Sequence, residues 1–417
     1  MNLKSKLPTR FQKYASFGII PKILLAPVAL IIVAAIILAR PFLKIYIYKV
    51  DWPFGHFFVM PHLTSHTNHL WNLRNRRKKL GIYCLTSKTV SNQFVYKKFR
   101  QKVPITKSHL GWILIWMSER FRFIGGRSSI IDFNGRNLKT SSRKIHRKDT
   151  LIRFSKSEVK MCAQFLHETV ADENKGFVCL NVRDDLYNRS VSLIKKEYDA
   201  RNSEAQTYIA ASEKLAKMGY TVFRMGAMVN EPLDSKHPQV VDYATNGMRT
   251  ELLDIYLGAF CKFAVGVGSG WDAVPQIFRR PLLLVNHIPY FAPSTITSPL
   301  IIFPKILISC ESQNPLRLSD VIDTKAFVSV RTADYTDVGV EIRDLGSEEL
   351  VDAVTEMAQR VEGTFVETPQ QKEMQAKLQH ILSTHPKLQP SPNHYPIRAQ
   401  FASCFLSRYP NFLDGLD

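Results

Sequence analysis

Residues 261–286, CKFAVGVGSGWDAVPQIFRRPLLLVN, have the types and spacing to hold an anion. A short apolar run at 263–265 is followed by Gly266, Gly268, Ser269 and Gly270. Glycines let the backbone turn tightly and let a ligand approach the main chain with no Cβ in the way. A helix is expected to begin within 271–275. Its first N–H groups would lack partners inside the helix and carry partial positive charge, which suits a phosphate. Residues 282–285 read as a second buried strand. The functional reading of this turn is a diphosphate cradle. The plainer one is an ordinary strand-to-helix turn.

The elements that would position such a site lie on either side of it. Residues 177–182, 220–225 and 240–243 read as strands, and 205–217 and 251–260 as helices. Strands alternating with helices make a doubly wound parallel sheet, the α/β class. Ligands of such sheets bind beyond the carboxyl ends of the strands. Arg183, Arg224, Asp242, Gly266, Gly268, Ser269 and Asn286 all fall at expected strand ends. That convergence is the argument for a site there.

The chain has 417 residues, enough for about two domains. Its net charge of +20 is unevenly placed. Residues 1–150 hold 28 Lys and Arg against 4 Asp and Glu, a balance of +24, and the remainder holds 28 against 32, a balance of −4. A basic first third attracts nucleic acid, anionic lipid or a phosphorylated substrate. Nucleic-acid binding would want basic residues interleaved with stacking aromatics or a known binding motif, and the block Arg74, Arg76, Arg77, Lys78, Lys79 has neither. No nucleic-acid partner is therefore expected. The six cysteines form no CxxC pair and no zinc spacing, so a reducing compartment is expected. His62, His66 and His69 lack partner carboxylates or cysteines, so no metal is expected there.

Residues 1–50 form a basic N-terminus and a membrane-associated segment. Residues 23–39 run 17 positions without a charge, interrupted by Pro27, near the lower edge of a membrane span. Basic residues interleaved with Phe42, Tyr46 and Tyr48 follow, as at a membrane interface. A bent re-entrant or interfacial segment fits as well as a span. Residues 51–170 read as a first α/β domain, with strands at 57–60, 82–85 and 112–117. Residues 171–365 read as the second, Rossmann-like domain, and 366–417 as a helical tail. With an apolar segment just upstream, an anionic membrane surface is the expected partner of the basic third.

The segments GFVCLNVRDD, YTVFRMG, VVDYA, ELLDIYLGAFCKFAVGVGSG and PLLLVN, in that order and spacing, resemble a family of bacterial glycosyltransferases. The likeness covers residues 176–290 and extends more weakly to Gly55-His56 and to LSRYPNFL near the end. It implies a GT-B type fold of two Rossmann-like domains, the second holding a nucleotide-sugar donor. The acceptor implied is lipid-linked or a polysaccharide, as in surface polysaccharide or lipopolysaccharide assembly. The location implied is the bacterial inner membrane with cytoplasmic catalytic domains. Asn181 stands where the family has histidine, and the loop reads GVGSG rather than a serine-rich form.

Within that resemblance a diphosphate leaving group needs a metal, or basic side chains and oriented amides. No DxD triplet occurs, so a metal-independent transfer with no cofactor is expected. Arg183 is the first candidate for the pyrophosphate, since a guanidinium presents a fork of donors; a salt bridge to Asp184 or Asp185 is its alternative use. Arg224 is the second. The amides of Gly268, Ser269 and Gly270 would complete the cradle. Asp242 or Asn286 could hold base or ribose, or cap local structure. His56 is the candidate base for the acceptor hydroxyl, with Asp184 as runner-up. A non-catalytic nucleotide-binding scaffold in a membrane polysaccharide assembly complex is the alternative function.

Overall fold

A computed structural model of the chain describes residues 19–39, 42–50, 58, 72, 78–85, 90–106, 110–111, 113, 150–170, 175–190, 199–290, 300–388 and 399–416. They belong to two compact units, Met1–Arg153 and Phe154–Asp417.

The first unit contains a parallel sheet in the order β1 (Leu43–Val50), β2 (Lys78–Leu85), β3 (Ile105–Thr106). The helix Gln93–Arg100 connects β2 to β3. Asn92 caps it by accepting a hydrogen bond from Val95 N at 2.8 Å. Val95 and Phe99, one turn apart, are its buried face. Of the expected strands, 82–85 is present. At 57–60 and 112–117 the described residues Phe58 and Ile113 are helical instead; a short apolar run has no periodicity by which to choose between the two states. The helix Ile19–Ala39 contains Pro27 and carries Lys22 as its one charge. Among the described residues no helix is long and apolar enough to cross a membrane.

The second unit is built on a seven-stranded sheet. Its strands are β4 (Phe177–Asn181), β5 (Thr221–Met225), β6 (Val240–Val241), β7 (Ala264–Gly266), β8 (Leu282–His287), β9 (Leu300–Pro304) and a late addition, Gln400–Phe401. Two further strands, β10 (Ile306–Ser309) and β11 (Val340–Arg343), pair antiparallel beside it, which makes Gln400–Phe401 β12. The large sheet has the order β12-β9-β8-β7-β4-β5-β6 and every pairing in it is parallel. The α/β class and the parallel sheet expected from the sequence are thus observed. Numbered from β4, the first six strands run 3-2-1-4-5-6, the Rossmann order, with its switch point between β4 and β7.

The chain forms this sheet for a plain reason. Every residue of β4, β5 and β8 is buried, as a strand covered on both faces requires. Helix Glu251–Phe260 is capped by the Thr250 hydroxyl, which accepts from Leu253 N at 3.1 Å, and it delivers the chain to β7. Ile209–Lys217 packs against Ser347–Glu362. The last residues dock rather than trail. Glu356 accepts from Ser403 N and Cys404 N, each at 2.9 Å, at the start of helix Ser403–Arg408. Phe405 and Phe412 meet edge to face at 4.9 Å between centroids.

Candidate functional site

The switch point lies where β4 and β7 run side by side. Leu180 faces Val265, so Asn181 ends one strand beside Gly266, which ends the other. Gly266 is required there: a Cβ on it would run into the Asp272 carboxylate. Gly268 has φ +77°, and a Cβ on it would meet His287 Nδ1 at 2.7 Å. Gly266 and Gly268 of the expected cradle therefore answer a local steric need.

The amides of this turn are engaged from within. Asp272 Oδ2 accepts from Ser269 N at 2.7 Å, and its carboxylate also accepts from the Gly268 backbone. Asn181 Nδ2 donates to Asp272 Oδ1 at 3.0 Å and to Ser269 Oγ at 2.5 Å. An internal carboxylate thus occupies the place that a phosphate would take on these two amides. Burial pushes the Asp272 carboxyl up to about 6 against the bonds from Asn181, Ser269 and Gly268, which favour its ionised form. The helix that follows, Ala273–Ile277, is five residues long.

Cationic side chains gather beyond the same strand ends. Arg201 Nη1 donates to Gly268 O at 3.0 Å. Arg183, two residues past β4, has its guanidinium held down to about 10 by burial and by repulsion from Arg201, with Asp184, Asp185 and Asp199 opposing. Lys305, buried at the end of β9, donates to Asn202 O and to Asp344 Oδ1, each at 2.6 Å. Burial lowers its ammonium below the usual range, and Arg183 adds to that while Asp344 opposes it. His287, at the end of β8, is buried, and among the described residues neither ring nitrogen has a hydrogen-bond partner. Burial, then Arg201, push its imidazole down to about 3, so it is neutral.

The other predicted residues are placed as follows. Arg224 is 1% exposed; its Nη1 lies 3.2 Å from Asp242 Oδ1 and its Nη2 donates to Glu231 O at 3.2 Å. Asp242 also accepts from Leu233 N at 3.0 Å and from the Thr245 hydroxyl. The two residues hold each other and the segment after β5. Asn286, at φ +49°, donates to Tyr208 Oη at 2.9 Å and accepts from Leu345 N at 2.7 Å. Asp184 accepts from Leu186 N at 3.0 Å and Asn230 N at 2.7 Å. His56 lies outside the described residues, as do His62, His66 and His69. Among the described residues no group of His, Cys, Asp and Glu could hold a metal.

A cavity of about 710 Å³ opens at the carboxyl ends of β4 and β5, lined by Val182, Asp184, Asn202, Ser203, Arg224 and Asp344 among others. Its wall is acidic: Asp185, Glu204, Glu231 and Glu341 also line it. The two arginines on the wall are already paired, Arg224 with Asp242 and Arg343 with Glu349. Carboxylates of this kind accept hydrogen bonds from hydroxyls.

Sequence reasoning missed Asp272, Arg201, Lys305 and His287. For Asp272 a signal existed: Ser269-x-x-Asp272 has the spacing of a residue that bonds back to amides three positions earlier. Arg201 ends a three-residue 3-10 helix and Lys305 is the single residue between β9 and β10, places that no local sequence pattern marks. His287 reads only as the end of an apolar strand.

No protein-family model matches the sequence, and no curated protein matches it. Among solved structures the chain is similar to a glycosyl transferase family 9 protein from Veillonella parvula, at 8% identity and TM-score 0.44, over 76% of this chain and 98% of that one. It is also similar to the dodecameric iron-containing heptosyltransferase TibC, solved with ADP-D-β-D-heptose, at 11% identity and TM-score 0.37, over 76% of each chain. At that degree of overlap the similarity carries no argument.

Proposed function

We propose that the second unit is the donor-binding part of a glycosyltransferase that takes a sugar from a nucleotide-sugar. One observation carries this reading. Arg183, two residues past β4, and Arg201, whose Nη1 donates to Gly268 O, both lie beyond the carboxyl ends of the strands, at the switch point of a Rossmann-ordered sheet. Two guanidiniums at one switch point present the forked donors that suit a doubly charged anion. As the glycosyl bond breaks, charge grows on the diphosphate, and fixed cations stabilise it without reorganising. Arg183 and Arg201 take that part here, with Lys305 behind them, and the chemistry proposed is metal-independent. The acidic cavity wall next to them would accept from the hydroxyls of sugar or ribose.

The acceptor proposed is lipid-linked or a polysaccharide, at the cytoplasmic face of a bacterial inner membrane. His56 is proposed as the base that takes the acceptor proton. Both Asp184 oxygens hold backbone amides, which leaves that residue ill-suited to the task.

A second reading has its own observation. Asp272 fills the glycine turn, and Asn181 stands bound to it. That arrangement suits a scaffold that binds a nucleotide without transferring its sugar.

A thermal-shift series with UDP, GDP, CDP, ADP and CMP, each with and without EDTA, tests both. A nucleotide at about a hundred times its dissociation constant stabilises by about 2.7 kcal/mol. One nucleotide that raises the melting temperature with or without EDTA supports the donor site. A shift with any nucleotide, but no transfer across an acceptor panel, favours the scaffold. No shift with any of the five overturns both.

A further inference from the structure

Where its side chains are described, the helix Ile19–Ala39 turns an apolar face outward. At about 100° per residue, Val28, Leu30, Ile31, Ala34, Ala35 and Leu38 fall within one half of its circumference, and all are exposed. Leu30 is 51% exposed, Ile31 69% and Leu38 77%. Ala26, Ala29 and Ile32 fall on the other half and are wholly or partly buried. Among the described residues the inward half holds Ala26, Ala29 and Ile32, while Val28, Leu30, Ile31 and Leu38 give the outward half its bulky aliphatic side chains. Phe42, just past the helix end, is 81% exposed. A helix beside water does the opposite, and a contiguous apolar face of this kind marks a surface that something covers.

We propose that this face, from Val28 to Leu38 with Phe42, is covered by the hydrocarbon of an anionic lipid bilayer. Charge chooses the occupant. Residues 1–50 carry eight Lys and Arg and no Asp or Glu. Two copies of so basic a segment repel, whereas an anionic surface attracts it within a Debye length. The helix is packed on its own protein along one side, so it lies in one leaflet with its outward face among the acyl chains. This surface belongs to the first unit and is independent of the donor reading above.

The test is flotation of the full chain with vesicles after detergent removal. One set is phosphatidylcholine alone, the other equal parts phosphatidylcholine and phosphatidylglycerol. The wild type is expected to float with the mixed vesicles and more weakly with the neutral ones. The triple variant Leu30→Ser, Ile31→Ser, Leu38→Ser, whose sites are all exposed, is expected to lose about tenfold in bound fraction, since each apolar side chain withdrawn from hydrocarbon weakens partition severalfold. An unchanged melting temperature shows that it is folded. A separate variant, Leu38→Trp, is expected to gain fluorescence that brominated lipid quenches. The proposal is overturned if the wild type floats with neither vesicle, if the triple variant floats as well as the wild type, or if Leu38→Trp is not quenched. It is also overturned, in favour of a second copy of this chain, if the triple variant turns a dimer into a monomer while flotation stays intact.

Discussion

Asn181 Nδ2 donates to Asp272 Oδ1 at 3.0 Å, and this bond ties the end of β4 to the turn that leaves β7. It spans the switch point of the sheet. It also shows why the glycine turn is quiet in this conformation. Amides that could hold an outside anion hold Asp272 instead. Replacing Asp272 by Ala leaves Ser269 N and Gly268 N without their acceptor in a half-buried turn, and the Asn181 amide with Ser269 Oγ alone. We expect a loss of about 2–4 kcal/mol, from unsatisfied donors at about 1–3 kcal/mol each with partial rescue by water. Urea unfolding measures it, and a loss below 1 kcal/mol would mean that water replaces the carboxylate fully.

The same carboxylate gives the stability a pH dependence. Burial raises Asp272 and Asp254 to about 6 in the folded chain, while the unfolded chain ionises each near 4. The folded state therefore keeps protons that the unfolded state has given up. What these groups contribute is fully present below about pH 4 and is lost as pH rises through 6, at a slope of up to about 1.4 kcal/mol per pH unit for each. Glu349 is lowered in the fold, despite burial, by Arg343, Tyr409 and Gly346, so its effect has the opposite sign and sits at lower pH. Melting temperature followed from pH 4.5 to 6.5 should fall less steeply in Asp272→Asn than in the wild type. Parallel slopes would sink the assignment.

Gly268→Ala tests the turn itself. The residue sits at φ +77° and a Cβ would meet His287 Nδ1 at 2.7 Å. Left-handed backbone costs a non-glycine residue about 1–2 kcal/mol, and the clash adds to that. The double variant Gly268→Ala, His287→Ala should recover the clash and leave the backbone cost. Additive losses in a double-mutant cycle would show that the imidazole yields freely.

Arg183→Ala and Arg201→Ala should each weaken nucleotide binding about tenfold to a hundredfold, as for a charge-assisted contact of about 1.5–3 kcal/mol. Calorimetric titration of the full chain reads this directly. Wild-type affinity in both variants would remove the guanidinium pair from the donor site.

Arg224→Ala separates scaffold from site. Arg224 is buried against Asp242, and breaking a buried pair costs about 3–5 kcal/mol. Arg224→Met with Asp242→Asn should restore part of that loss and bind nucleotide as the wild type does. If the double variant folds but fails to bind, Arg224 contacts the ligand after all.

The second unit's strands and most of its helices were legible because burial writes itself into composition. VCLN, TVFRM and LLLVN are short, nearly continuous apolar runs of the kind that a strand covered on both faces holds, and the helical patterns between them supply the context that a lone run lacks. The order of those runs against helices was enough for a parallel sheet. The later strands β9 to β12 were not read, since LIIFP and ILIS lie amid irregular sequence and Gln400–Phe401 joins the sheet from about a hundred residues away. The helix after the glycine turn was expected to open onto a ligand; it is short, and Asp272 at its start turns the amides inward.

Residue types and spacing alone therefore determined the α/β class, the glycine turn after β7 and the set of polar residues at strand ends. Those are local matters, settled by periodicity and by where a Cβ is tolerated. Tertiary structure decided which of these polar groups meet. Arg224 found Asp242, Asn286 found Tyr208 and Leu345, and Arg201, at the end of a three-residue 3-10 helix, reached Gly268. The reason is physical: a charge at a strand end is satisfied by whichever partner the packed fold brings within about 3 Å, and that distance is not written in the spacing of the chain.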